Sequence, residues 1–305
     1  MIFVLGSINT DMVAVVPREV KVGETIICDK FYSGLGGKGA NQAVAIAKLG
    51  GKVKFIGKVG NDENGKKAVE KLNEYGVDTE FVAVSETVST GVALITVANG
   101  DNSIVAYGGA NFDITCDEVD LALDGAETGD ILVMQLEMPL SVVEYGARLA
   151  KEKGMKVILN PAPATEIEPS IYAMVDLICP NETETELLTG INPCDGEAYL
   201  ALAVKNFYQK GVSEVLITMG SDGSAMAQGQ TITYIEPRKV TAVDTTSAGD
   251  TFIGATALKL SQGKDLYSAV KFATVASSIT VTREGASVSI PTESEVEEVI
   301  KSLAE

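Results

Sequence analysis

Residues 34–42 read GLGGKGANQ, and Gly34, Gly36 and Gly39 hold the G-x-G-x-x-G spacing of a dinucleotide-binding turn. That fingerprint has a required context: it closes the first strand of a parallel sheet and opens the first helix, whose N-terminus meets a pyrophosphate. Here the first apolar run, residues 2–8, lies far upstream, and the residues before the glycines, CDKFYSG, make a poor buried strand. A P-loop fails as well, because Ala40 and Asn41 follow Gly39 where Lys-Ser/Thr is required. What remains is a glycine-rich turn opening a helix, with Lys38 and Asn41 at its mouth. Amides at a helix start, a lysine and a side-chain amide suit a polyhydroxylated or anionic ligand. A plain tight turn would use the same glycines.

Outward from that turn the chain alternates. Short apolar runs at 2–8, 53–59, 131–137, 157–160, 177–180 and 215–219 predict buried parallel strands. Helical patterns lie at 40–49, 65–75, 141–153, 198–210 and 251–261, with Gly50, Gly76, Gly154, Gly211 and Gly263 as stop signals. The expected fold is α/β: a doubly wound, mainly parallel sheet flanked by helices. Two stretches break the rhythm, at about 11–33 and 90–107. They are rich in β-formers, and GVALITV and NSIVAYG alternate as antiparallel strands do. They predict a small β-sheet lid on a single α/β domain spanning 1–305. The acidic end, TESEVEEVIKSLAE, reads as a closing amphipathic helix.

Charge and residue usage narrow the function. The 305 residues carry 24 basic and 42 acidic side chains, a formal net charge of -18. Nucleic acid and anionic membrane surfaces require a broad basic face, so neither is an expected partner. The start, MIFVLGSINTD, lacks the charged and apolar regions of a signal peptide, and a cytoplasmic location is expected. Cys28, Cys116, Cys179 and Cys194 form no C-x-x-C, so buried thiols are expected and neither a disulfide framework nor a zinc site is. The chain has no histidine. Ser-His-Asp and Cys-His nucleophile systems are thereby excluded, and proton transfer falls to a carboxylate, lysine, tyrosine, cysteine or water.

Three further stretches can carry chemistry. At 243–255, VDTTSAGDTFIGA, small residues Ser247, Ala248 and Gly249 let backbone approach a ligand, and the helix start favours anionic oxygens. Asp250 follows in the first turn, either as a helix cap or as a carboxylate base beside an anion hole. At 181–184, NETE fits a capping box, and at the end of a parallel strand Asn181 and Glu184 also suit Mg²⁺ and its waters. The turn TMGSDG, 218–223, offers Thr218, Gly220, Ser221 and Gly223 to a nucleotide. All lie at strand ends, where doubly wound sheets bind ligands.

These motifs, with GSINTD (6–11), GGKGANQA (36–43), TGVALI (90–95), MQLE (134–137), LNPAPA (159–164) and VTREGA (281–286), together resemble the ribokinase family of carbohydrate kinases nearly end to end. The family also includes adenosine kinases and minor-type phosphofructokinases. The resemblance implies ATP-dependent phosphorylation of a sugar, with D-ribose at its 5-hydroxyl as the expected substrate and another sugar or a nucleoside as the alternative. It places Asn9, Asp11, Gly37, Lys38, Asn41 and Glu137 around the sugar. Asp250 becomes the base, with the amides of Ala248 and Gly249 as anion hole. Asn181, Thr218, Gly220, Ser221, Gly223, Gly249 and Thr274 fall on the ATP side, with Glu184 towards Mg²⁺. Related enzymes often present histidine or asparagine near position 274, so Thr274 departs from the pattern. Asp244, Thr246, Thr280, Arg283, Gly285 and Ser289 fall where the family holds a monovalent cation. One carboxylate among neutral oxygens suits K⁺; the plainer reading is that Asp244 caps a turn and pairs with Arg283. A bare apolar lid would be an aggregation hazard, so a homodimer through the lid is expected. An NAD-dependent oxidoreductase rests on the glycine spacing alone, and a catalytically silent sugar sensor should lack Asp250.

Overall fold

The computed structural model describes residues 1–99 and 101–304. Strand β1 (Ile2–Leu5) is IFVL, with all four residues buried, and it sits inside a nine-stranded sheet. Ile2 and Val4 join one hydrophobic cluster, whereas Phe3 and Leu5 join the other, as the two-residue period of a strand dictates. Both faces are therefore covered by helices. Helices Lys38–Lys48, Ala248–Ser261 and Leu266–Thr280 supply the first cluster; Leu140–Glu152 and Glu197–Gln209 supply the second.

Across the sheet the order is β13 (Thr231–Ile235), β12 (Ser224–Gln228), β11 (Glu214–Thr218), β10 (Leu177–Ile178), β9 (Lys156–Leu159), β8 (Ile131–Met134), β1, β4 (Val53–Gly60) and β5 (Asp78–Ser85). Pairing is parallel from β11 through β5 and antiparallel at β12 and β13. From β1 the chain builds outward to β4 and β5, then returns to the other side of β1 with β8. The sheet switches direction there, and the carboxyl ends of β1 and β8 frame the crevice where such sheets take ligands.

Four other strands, in the order β3 (Lys30–Gly36), β2 (Asn9–Val15), β6 (Gly91–Ala98) and β7 (Asp101–Tyr107), form the small sheet. GVALITV and NSIVAYG pair antiparallel as expected, but β2 and β6 pair parallel, so the sheet is mixed. The glycine motif thus closes an antiparallel strand, β3, and the dinucleotide fingerprint loses its required context.

Several expected strands stop early. The run 2–8 leaves the main sheet after Leu5, 131–137 leaves after Met134, and 177–180 pairs only over Leu177–Ile178. Ile8, Leu136 and Cys179, beyond those last pairs, stay buried in the two hydrophobic clusters. Of the cysteines, Cys179 is buried, but Cys194 is exposed, contrary to the expectation of buried thiols. It sits in the short turn Pro193–Asp195, where the Asn192 side chain caps the Cys194 amide and Pro193 takes the buried position.

Candidate active site

The floor of the crevice is made by backbones in direct contact. A Cβ on Gly39 would stand 2.6 Å from Gly6 and Ser7 backbone atoms, and Gly37 has φ +92. Only glycine permits either, so the start of helix Lys38–Lys48 docks on the loop after β1, with the Ala40 amide donating to Ser7 O at 2.9 Å. Glu137, just past β8, accepts from Ser7 Oγ and, at 3.1 Å, from the Lys38 amide. Asn111 donates to Asn9 Oδ1 at 2.8 Å and to Ile8 O at 3.1 Å, and accepts from the Ile8 amide at 2.8 Å. Gly36 leaves room for the Asp11 carboxylate, which any Cβ there would strike.

Helix Ala248–Ser261 completes the site because it approaches helix Lys38–Lys48 closely. At Gly254 an added Cβ would lie 2.7 Å from Ala45 Cβ and 2.7 Å from Gln42 O. Asp250 is one turn earlier on the same face. Its Oδ2 accepts from Asn41 Nδ2 at 3.1 Å and its Oδ1 from Gln42 Nε2 at 3.1 Å. Both oxygens are thus taken by side-chain amides, and the capping reading of Asp250 gains no support. The helix instead begins at Ser247, held in the left-handed region with φ 61. The Ala248 amide closes a turn onto Thr245 O at 3.2 Å, and a Cβ on Gly249 would meet nothing within 4 Å.

Charge is concentrated here. Burial pushes the Asp250 carboxyl up, opposed by Lys38 and by its two amide partners. Burial, Glu137 and Asp250 push Asp11 up to about 7. Lys38 is destabilised as a cation by burial, but the carboxylates of Asp250, Glu137 and Glu184 outweigh that and raise it. Several carboxylates around one lysine present acceptors to hydroxyl donors, as a polyol ligand demands.

A cavity of about 210 Å³ joins this cluster to the neighbouring strand ends: Lys38, Asp250, Gly249, Asn181, Glu184 and Thr218 all line it. Asn181 and Glu184 form the expected capping box in both directions, at 2.7 and 2.9 Å. That uses Glu184 Oε2, and burial raises the carboxyl. Thr218 bridges to Asn181, while Gly220 and Ser221 sit in the exposed turn beyond. At Gly223, φ is +88 and a Cβ would stand 2.3 Å from Ile235 O, so the turn depends on glycine. Thr274 is placed apart from this cavity, on helix Leu266–Thr280, with its hydroxyl donating to Val270 O at 2.9 Å.

The proposed cation residues converge in part. Asp244 accepts from the Thr246 and Gly285 amides, each at 2.9 Å, which holds loop 244–247 against turn 283–286 and lowers its carboxyl against the pull of burial. Arg283 pairs with Glu295 of the closing helix at 2.6 Å, so the alternative reading, an Asp244–Arg283 pair, is not formed. Thr280 Oγ1 is 3.0 Å from Thr251 Oγ1, and Ser289 Oγ donates to Ala286 O at 2.7 Å. A larger cleft of about 790 Å³ under the small sheet reaches Asp11, Asp244 and Gly285.

Ser7, Gln42, Asn111, Gln135 and Asn160 escaped the sequence reading. The available signal was an amide, Gln42, set directly before the apolar run AVAIA of helix Lys38–Lys48.

The pfkB family carbohydrate kinase description matches residues 1–293. A ribokinase of Haemophilus influenzae is 42% identical over 299 residues, covering 98% of this chain and 97% of its own. A deoxyribokinase of Salmonella typhi is 37% identical, covering 95% of each. Among solved structures, Arabidopsis thaliana ribokinase complexed with ribose and ATP superposes with a TM-score of 0.90 at 33% identity, covering 98% of each chain.

Proposed function

The chain belongs to the pfkB family of carbohydrate kinases, and on that premise we propose that it transfers the γ-phosphoryl group of ATP to the 5-hydroxyl of D-ribose. One observation carries the reading: a buried carboxylate, Asp250, stands where the acidic sugar-binding cluster opens through the 210 Å³ cavity onto Asn181, Glu184 and Thr218. Asp250 accepts the hydroxyl proton as the oxygen attacks phosphorus in line; the new O–P bond forms as the bond to ADP breaks. Lys38 and the Gly249 amide face the charge that spreads over the transferring oxygens. Asn9, Asp11, Gly37, Asn41 and Glu137 hold the sugar hydroxyls. Thr218, Gly220, Ser221, Gly223 and Thr274 contribute to the nucleotide side.

Among the described residues no three cysteine or acidic side chains converge as a ready metal cage. Mg²⁺ suits such a site, because it keeps several waters and binds largely through substrate phosphates. Asn181 and Glu184 would orient it, and it would neutralise developing charge. K⁺ fits beside Asp244, whose carboxylate already ties together the two loops that carry Thr246 and Gly285; bound there it would stiffen the loop before Ala248 and Gly249. The small sheet is the lid. On one of its faces Phe31, Leu94, Val105 and Tyr107 are exposed, and this face is the surface of a homodimer. No helix among the described residues is long and apolar enough to cross a membrane.

The deoxyribokinase relative favours a second reading, 2-deoxy-D-ribose as substrate. A coupled ATPase assay over ribose, 2-deoxyribose, fructose and adenosine separates them. Ribose should give the highest kcat/KM, since a site that hydrogen-bonds a hydroxyl rejects the analogue lacking it. A higher value for any other acceptor would refute the assignment.

A further inference from the structure

We propose that Gln42 is the positioning residue for the base: its side-chain amide locks the Asp250 carboxylate in the orientation that receives the sugar's proton. The proposal deepens the phosphoryl-transfer reading and rests on Asp250 being the base.

Gln42 is fully buried, 0% exposed, and every polar atom of its amide is used. Nε2 donates one hydrogen to Asp250 Oδ1 at 3.1 Å and the other to Asn160 Oδ1 at 3.2 Å. Oε1 accepts from Gln135 Nε2 at 2.6 Å. The amide's orientation is set from outside. Asn160 Nδ2 donates to the backbone carbonyl of Cys179 at 3.0 Å, and a carbonyl cannot reverse its role. Asn160 Oδ1 must therefore face Gln42 as an acceptor, and Gln42 must present its NH₂ to both Asn160 and Asp250. The chain of roles runs from the main chain beyond β10 to the base. Its cost is visible at Gln135, whose Oε1 is buried without a partner among the described residues.

Asn41 plays a different part. Its Nδ2 donates to Asp250 Oδ2, but its own Oδ1 is buried and has no hydrogen-bond partner among the described residues, and in the proposed complex it would receive a sugar hydroxyl. Asn41 serves substrate and base together; Gln42 serves the base alone. Other charged groups around Asp250 act in both directions. Lys38 favours its ionised form, whereas Glu137, Asp11 and Glu184 oppose it, and the neighbouring Cys179 thiol is kept neutral by burial. A donor removed from Oδ1 leaves that balance tipped towards the protonated acid.

The test is Gln42→Met, of similar length and without a donor. Turnover should fall by roughly tenfold or more while the ribose KM stays within about threefold, and the acid limb of the kcat–pH profile should move to higher pH. A second readout needs no substrate: the carboxyl-carbon NMR titration of Asp250, assigned with Asp250→Asn, should shift upward in the same direction. If Gln42→Met does not fold, Gln135→Met removes only the group that faces Gln42 Oε1 and should give a smaller shift of the same sign. An unchanged Asp250 titration in the folded variant overturns the inference, as does a loss carried by KM with kcat intact. Failure of the unmodified protein to phosphorylate ribose would count against the substrate reading and leave the titration as the deciding result.

Discussion

Gly254→Ala is the sharpest perturbation of the packing that assembles the site. In an exposed helix the change stabilises by about 1 kcal/mol, because alanine has the higher helix propensity. Here the new Cβ would lie 2.7 Å from Ala45 Cβ and from Gln42 O, whereas carbon contacts settle near roughly 3.5–4.0 Å. Helices Lys38–Lys48 and Ala248–Ser261 must separate by about 1 Å, an overpacking cost of about 1–3 kcal/mol. The two effects nearly offset, so the folded state should lose no more than about 2 kcal/mol. The site is less tolerant. Asp250 sits one turn from the new methyl, and its 3.1 Å bonds to Asn41 and Gln42 would be stretched beyond hydrogen-bonding range. A misplacement of about 1 Å at a reacting group costs on the order of a hundredfold in rate. The expected signature is kcat down by about two orders of magnitude with a small change in melting temperature, measured by coupled assay and by calorimetry. Gly125→Ala, where a Cβ would meet nothing within 4 Å, is the control. Wild-type kcat in Gly254→Ala would refute the claim that this helix contact places the base.

Four other outcomes are expected. Asp250→Asn should lower turnover at least roughly a hundredfold while ribose binding by titration calorimetry stays near wild type; retained turnover would remove Asp250 as base. Asp11 is pushed from the ordinary 3.8 to about 7 in the folded protein. The native state therefore holds this proton when the unfolded chain has lost it, and the group's stabilisation, full below pH 3.8, is lost as pH rises through about 7. Asp11→Asn should flatten that fall in urea midpoints, and an identical pH slope would contradict it. K⁺ should raise turnover above Na⁺ or Li⁺ at constant ionic strength, and Asp244→Ala should erase the difference; equal rates in all three salts would sink the cation site. Leu94→Asp, opposite Val105 on the exposed face of the small sheet, should convert a dimer to a monomer in sedimentation, and a wild-type monomer at micromolar concentration would dispose of the interface.

Structure whose signal is local is legible in this sequence, whereas contacts between partners far apart along the chain leave no mark in it. The helix after GLGGKGANQ was legible because glycines and a helical stripe adjoin one another. The helix beginning at Ala248 and the capping box at Asn181 were legible for the same reason. Strands β5, β12 and β13 carry no apolar run: β5 and β13 lie at sheet edges with half-exposed, irregular burial, and β12, SAMAQ, is short and built mostly from small or polar residues. Ser7 and Gln135 were passed over although both lie inside quoted motifs. Ser7 reaches Glu137 only because β1 and β8 are neighbours, a fact of sheet order that neither segment contains, and Gln135 reaches Gln42 on a helix 93 positions away. Asp250 and Gln42 are 208 positions apart, and no spacing rule connects them. Their meeting depends on Gly254 having no side chain at the crossing with Ala45. A lone glycine inside a helix reads as a weakness of about 1 kcal/mol. Here it lets the two helices approach, and the same residue that lowers helix propensity gives the base its two donors.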